Sequence, residues 1–365
     1  METVSIKSVV VGGGIVGQAI AYEVSKKFDC ALIEKNKNFI NETSSRNSGV
    51  IHSGVYYDHD ANKNFFCLNG KERMYEFCKK NNVQHKMTGK YIVSSKENLQ
   101  KHNELVKKCT DKSIPFEEVS NTIVNNIYPS VICENILFIK DSGIVDVHSL
   151  SDCLEYKLNE NGGLIQKQSE LIEIEQTSDG YLLTVNGPDQ KFKIKTEILI
   201  LAMGLHTQKF FSKTNSLDLG NFFEPLRYMI GRYYKCKNFD NFKHLIYPIP
   251  EKDSLGIHIC FNLYDDYITF GPDAEEIQNI NSPEKLFDIE LEEKFLKNIE
   301  TYIPNIRQHE LQPDYYGIRP KLPDQDFRIL DKEDHGFEGL IALHGIESPG
   351  LTSSLSLGHY IANKI

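Results

Sequence analysis

Three residues in this chain have the type and setting for chemistry. His52 stands between two glycines in RNSGVIHSGVYY, residues 46–57. A neutral imidazole can take a proton near pH 7, although a histidine flanked by apolar residues is more often structural, so its case rests on the rest of the chain. Arg319 lies between Ile318 and Pro320 in YYGIRPKLP, residues 315–323. Its planar guanidinium suits two-pronged capture of a carboxylate, where a purely surface arginine would sit among polar neighbours. Glu34 ends CALIEK, residues 30–35, where a carboxylate would accept from ribose hydroxyls.

The elements around Glu34 say what it serves. SVVVGGGIVG, residues 8–17, runs as a strand into Gly12, Gly14 and Gly17 at GxGxxG spacing, and Ile20, Ala21 and Val24 give the following helix an apolar face. The glycines permit a tight turn, close approach of backbone to a pyrophosphate and close helix packing, while the helix N-terminus favours the anion. An acidic Glu34 argues against a 2′-phosphate, hence against NADP. After Glu34 the alternating pattern breaks into NETSSRNSGVIHSG, and the next strand fit for the same sheet is EILILAMG, residues 197–204. A sheet interrupted in this way by a second domain is the organisation of FAD enzymes.

Further elements follow from pattern. KYIVSS (90–95) reads as a strand of the inserted part, and residues 145–163 as a helix capped by Asp146 or Ser149 and ended by Gly162 and Gly163. ELIEIEQ and GYLLTV read as paired strands, and residues 222–273 as an antiparallel sheet, the candidate substrate floor. Residues 339–344 read as a strand, followed by a helix over about 351–363. Pro349, Gly350 and Thr352 would present backbone N–H groups at its start, against the negative edge of a reduced flavin; the plainer reading is that strand and helix only complete the fold. The expected fold is α/β, α+β overall: a Rossmann-type FAD-binding domain (1–85, 142–210 and 313–365) interrupted by a substrate-binding domain (86–141 and 211–312) with a mainly antiparallel sheet.

Composition narrows the function. A chain of 365 residues exceeds the size at which one core stops growing. With 40% hydrophobic and 25% charged residues it should fold throughout. Its net charge of -10, with Lys and Arg scattered, offers no basic stripe for nucleic acid. Eight cysteines without a CxxC pair, and no HExxH, read as reduced thiols with no metal site. No apolar run approaches the ~18 residues of a membrane span, which leaves a cytoplasmic protein with peripheral contact at the inner membrane still open.

With these residues set out, the chain resembles FAD-dependent oxidoreductases of the D-amino-acid oxidase superfamily, and within it the L-2-hydroxyglutarate dehydrogenase group. The resemblance spans nearly the whole chain. VVGGGIVG with Glu34, TSSRNSGVIHSGVYY, HLIYPIP with GIHI (244–250 and 256–259), FGPD (270–273), YYGIRPKL and HGIESPGLTSSLSLG carry it. It implies FAD, and oxidation of a small 2-hydroxy acid, L-2-hydroxyglutarate first, to the 2-oxo acid by hydride transfer to flavin N5. His52 would lie beside the flavin as base, with Ser48, Arg319 and Ser348 also at the substrate and His258 or His344 as the next candidate base. Gly12, Gly14, Ile15, Val16, Gly17, Glu34 and Lys35 would hold the cofactor with Thr43, Ser44, Ser48, Gly49 and Val50. Leu171, Ala202, Gly204, Gly345, Ile346, Gly350, Leu351 and Thr352 would complete its lining.

Glycerol-3-phosphate oxidases look similar in the NSGVIHSG and SPGLT blocks, and glycine or sarcosine oxidases stand as the amine alternative. A phosphate would call for extra cations, with Lys321 and Arg328 nearest in sequence. A flavin-binding module without catalysis is the reading from another class. The chain departs from the family where Ile230 and Gly231 stand in place of a frequent Arg-Gly pair, so no substrate contact is assigned to Tyr228 or Tyr233. It also lacks the mitochondrial leader of animal members, which favours a bacterial-type enzyme. Oxygen, a quinone or a carrier protein would take the electrons.

Overall fold

The computed structural model describes residues 2–365 except 214–216, 218–221, 238, 240, 241, 250–255, 262, 265, 266 and 282–285. Part of the 222–273 stretch, and Pro250 of HLIYPIP, therefore lie outside the described residues.

The apolar run before the glycines forms β1 (Ser8–Val11), buried along its length as a central parallel strand must be. The glycine turn leads into α1 (Ile15–Val24), and the chain returns as β2 (Cys30–Ile33). A short β3 (Val50–Ile51) carries the His52 segment, followed by α2 (Asn62–Asn81) and β4 (Lys90–Ser94). α3 (Val147–Glu160) starts at Asp146, whose carboxylate accepts from the His148 N–H at 3.0 Å, the expected cap.

β5 (Ile198–Leu201) then rejoins the first sheet, pairing in parallel with β1. The chain next builds β6 (Arg227–Lys237), β7 (Leu245–Pro248), β8 (His258–Cys260), β9 (Tyr267–Gly271) and β10 (Leu311–Lys321). It closes with β11 (Leu340–His344) and α4 (Gly350–Lys364).

The first sheet has six strands in the order Leu164–Gln166, β2, β1, β5, β11 and Arg328–Leu330, all parallel but the last. Ligands on such sheets bind beyond the carboxyl ends of the strands. The second sheet has nine strands; β10 pairs β6, β9 lies on the other side of β6, and β8, β7 and β4 follow. Its pairs are antiparallel save β4 with β7. The expected boundary at 313 falls inside β10, which is one continuous strand of this second sheet.

Alternation along the second sheet sorts its residues. Tyr91, Ile246, Ile259 and Tyr234 enter an apolar core on one face. Lys90, Tyr247, His258, Cys260, Tyr233 and Arg319 are one residue out of step with that set and occupy the opposite face, toward the His52 segment. α1 and α4 pack closely, because Gly358 stands where a Cβ would lie 2.5 Å from the Ala19 carbonyl.

Candidate active site

A cleft of about 500 Å³ runs past the carboxyl ends of β1, β2 and β5. Gly12, Gly14, Val16, Gly17, Glu34 and Lys35 line it, with Thr43, Ser44, Leu171, Ala202, Gly204 and Ile346. The glycines are steric necessities here. A Cβ at Gly17 would lie 1.9 Å from the Gly12 carbonyl oxygen, and Gly12 itself has φ +110°. Glu34, 7% exposed, accepts from the N–H groups of Gly13 and Asn36, both at 2.7 Å. Each carboxylate oxygen keeps a further lone pair. The Ile15 N–H donates to Ser44 Oγ at 3.0 Å, which ties the start of α1 to the 43–48 loop.

At one wall of the cleft Lys35 Nζ lies 2.7 Å from Glu42 Oε1 and 2.6 Å from His206 Nε2. Burial works against the Glu42 charge, yet His206 and Lys35 outweigh it and hold the carboxyl down at about 2.

The remaining expected cofactor residues serve the frame. Thr352 Oγ accepts from the His52 N–H at 3.0 Å and donates to the Val50 carbonyl at 3.3 Å, so α4 splints β3. Gly49 has φ +64°, and a Cβ there would meet the Val145 carbonyl at 2.8 Å. Gly345 also has positive φ, +67°, in the turn from β11 toward α4, which Gly350 and Leu351 begin. Ser48 and Gly49 face a separate cavity of about 260 Å³.

Beyond the cleft the His52 segment meets the polar face of the second sheet, and the buried groups between them make up the chamber. His52 is half-buried; its Nε2 lies 3.3 Å from Ser348 Oγ, and its Nδ1 is shielded from water without a partner. Tyr57 also bonds to Ser348, and Lys63 pairs with Glu347 at 2.6 Å, fixing the loop that carries the serine. Burial first, then the Lys90 ammonium and the neighbouring His258, pulls the His52 imidazole down to about 3. It is neutral at working pH.

Arg319 projects from β10, and its Nη2 donates to the Asp273 carbonyl at 3.0 Å. Gly231 leaves room for it, since a Cβ there would come within 3.3 Å of that nitrogen. The next residue, Arg232, turns to the opposite face and pairs with Asp273 and Glu275. Tyr233 stacks on Tyr315 with centroids 4.4 Å apart and bonds to Ser48.

His258 stacks on Tyr247 at 3.8 Å, donates from Nδ1 to the Gly256 carbonyl at 3.0 Å, and keeps a shielded Nε2 with no partner. Burial dominates its downward shift to about 3, with Lys90 and Arg319 adding to it. His344 is tied elsewhere: its Nε2 donates to the Glu224 carbonyl at 2.7 Å. Arg328 is committed too, to Glu224 at 2.7 Å and Asp324 at 2.5 Å.

Comparison with known proteins decides the family. The family model described as FAD dependent oxidoreductase matches residues 7–364. The chain belongs to that family. Among its relatives, the mitochondrial L-2-hydroxyglutarate dehydrogenase of Arabidopsis thaliana is 31% identical over 98% of this chain and 83% of that protein. Glycerol 3-phosphate oxidase of Mycoplasma genitalium is 29% identical over 97% and 92%. The fold matches that of L-α-glycerophosphate oxidase from Mycoplasma pneumoniae, solved with FAD bound, at TM-score 0.84 and 23% identity, covering 100% of this chain and 96% of that one.

The cleft's lining fits the cofactor of an FAD dependent oxidoreductase. The glycine turn leaves backbone open to a pyrophosphate, Glu34 is held rigid within the cleft, and the cleft reaches Pro320 and Ile346, next in sequence to Arg319 and close to Ser348. Among the described residues no cluster of metal ligands occurs and no helix is long and apolar enough to cross a membrane. Reading from spacing passed over Glu42, His206, Tyr56, Tyr57, Tyr247 and Lys90. Lys90 left a signal: a lysine heads a strand that is buried at every position, where lysine is rarely found.

Proposed function

We propose that this FAD-dependent oxidoreductase oxidises a small 2-hydroxy acid, L-2-hydroxyglutarate first, to the 2-oxo acid. One observation carries the reading: a neutral imidazole with an unpartnered nitrogen shares its chamber with Arg319 and further basic side chains. Arg319 binds the carboxylate beside the reacting carbon, using the guanidinium edge not given to Asp273. Ser348 holds the imidazole plane from Nε2, and His52 accepts the hydroxyl proton. Bound FAD supplies the two-electron acceptor for the hydride that leaves the same carbon.

The relatives named for L-2-hydroxyglutarate support this substrate, and the commitment of Arg328 to Glu224 and Asp324 removes one of the cations a phosphate would use. The eight cysteines are free thiols, which supports a reducing compartment; we assign the reaction to the cytoplasm, with oxygen, a quinone or a carrier protein as final acceptor and peripheral membrane contact compatible with it. Anaerobic addition of L-2-hydroxyglutarate, glycerol 3-phosphate and sarcosine to the purified yellow protein tests the reading. L-2-hydroxyglutarate should bleach the flavin fastest. Bleaching by one of the others alone would transfer the assignment to it, and bleaching by none would point to a binding module.

A further inference from the structure

Among the described residues four Lys or Arg side chains are buried: Lys63, Lys71, Lys90 and Arg232. Three are matched by carboxylates, Lys63 by Glu347, Lys71 by Asp141 and Arg232 by Asp273. Lys90 is the exception. It is 0% exposed, and its Nζ has no hydrogen-bond partner. The ammonium sits 4.5 Å from the ring centre of Tyr56 and 4.8 Å from that of Tyr247. Ring faces attract a cation, but they provide no acceptor, and they return far less than full dehydration of an ammonium costs. Asp141 draws on Lys90 electrostatically yet is already paired with Lys71.

The surroundings are incomplete in the same way. Tyr56 OH and His258 Nε2 are both shielded from water and unpartnered, and Tyr247, one of the two rings beside Lys90, stacks on His258. His258 in turn feels Lys90 and Arg319 together, and His52 feels Lys90 and His258. Two cations therefore reach His258, Arg319 from β10 and Lys90 from β4, and Lys90 reaches His52 as well. A ligand with one acidic group meets only one of them; a ligand with two acidic groups answers both and gives the Lys90 ammonium and the Tyr56 hydroxyl an acceptor.

Building on the proposed 2-hydroxy acid oxidation, we infer that Lys90 receives the second carboxylate of a dicarboxylic substrate while Arg319 holds the first, so that Lys90 sets the preference for dicarboxylic over monocarboxylic 2-hydroxy acids. The neighbouring Tyr56 hydroxyl donates to the same carboxylate. Lys90 is a binding residue in this scheme and takes no part in proton or hydride movement.

The test uses dead-end ligands, which need no turnover. The flavin-loaded protein is titrated with glutarate and with butyrate, read by the flavin absorbance change. Wild type should bind glutarate more tightly. Lys90→Met should cut the glutarate-to-butyrate affinity ratio by about 10- to 100-fold, the loss expected for one charge-assisted partner, with flavin content retained. Lys90→Gln repeats the measurement in a polar, uncharged form should the first variant fold poorly. An unchanged ratio in a flavin-loaded variant, a parallel loss for both ligands, or a wild type without preference for glutarate would each overturn the inference. Failure of L-2-hydroxyglutarate to bleach the wild-type flavin would sink the reaction assignment separately and leave these titrations readable.

Discussion

In the cofactor cleft Glu34 is gripped by two backbone N–H groups, Ser44 by a third, and Lys35, Glu42 and His206 satisfy one another. In the chamber His52 Nδ1, His258 Nε2, Tyr56 OH and Lys90 Nζ are shielded from water with nothing to bond to. A buried polar atom without a partner costs about 1–3 kcal/mol, so the chamber is held together by the packing around it and against its own polar preferences. The cleft is finished by the protein alone; the chamber is finished by what enters it. On the proposed reading rigidity belongs to cofactor binding, and selectivity to the substrate side.

The sharpest way to break this contrast is His52→Gln. Glutamine keeps much of the volume but has no basic ring nitrogen, so flavin reduction in stopped flow should slow by ~10²-fold or more while flavin content holds. An unchanged rate per bound flavin would remove His52 from chemistry and leave His258 as the candidate. Arg319→Lys should come next. It keeps the charge, loses the two-pronged geometry and the bond to the Asp273 carbonyl, and should raise the substrate KM by about 30-fold with flavin content unaltered. Unaltered saturation kinetics would take Arg319 out of the site.

Glu34→Ala probes the finished side. It removes any bond to ribose together with the acceptors for Gly13 and Asn36, so flavin affinity should fall by roughly 10-fold and the melting temperature should drop as well. Stoichiometric flavin after extensive dilution, with an unchanged melting temperature, would break the contrast from that end.

The smallest effect is a flat line. With His52 at about 3, the kcat/KM profile should show no acid limb down to about pH 5, whereas an inflection near the ordinary histidine value would mean a solvated imidazole. The sign for stability follows. The chamber histidines stay neutral in the folded state below the pH at which the unfolded chain protonates them, so their contribution is full above 6.5 and is lost as pH falls toward 3.

The cleft was legible because backbone geometry is written locally. Gly12, Gly14 and Gly17 with Glu34 lie within one strand–helix–strand unit, where Gly17 clears the Gly12 carbonyl, although Gly12 itself clears the Ala202 carbonyl at the end of β5. β5, β11 and α4 were equally readable from apolar runs and flanking glycines. The chamber was legible only in part. His52, Arg319 and Ser348 were reached through resemblance, and the structure links His52 with Ser348 directly. Lys90 showed only as a lysine out of place in a buried strand, and its meeting with Tyr247 was out of reach, since β4 and β7 meet by a register that no spacing along the chain records. α2 was missed for a related reason: its apolar stripe is weak, and Gly70 in its middle reads as a helix breaker. In three dimensions that glycine is required, because a Cβ there would lie 2.3 Å from the Thr352 carbonyl of α4.

The Thr352 splint also bears on how the protein is made. The hydroxyl that fixes the His52 segment arrives 300 residues after it, and α4 also closes over α1 and α2. Ribosomes add roughly 5–20 residues per second, so β3 and the glycine turn wait on the order of tens of seconds for the helix that locks them. For about the first half of that interval the β1–α1–β2 unit lacks its neighbour β5, β11 joins β5 only near the end, and the ordering of so distant a contact makes folding slow. Stable capture of the flavin is thus a late event in biogenesis, and a chain interrupted before α4 would leave the apolar faces of α1 and α2 open to chaperones and proteases.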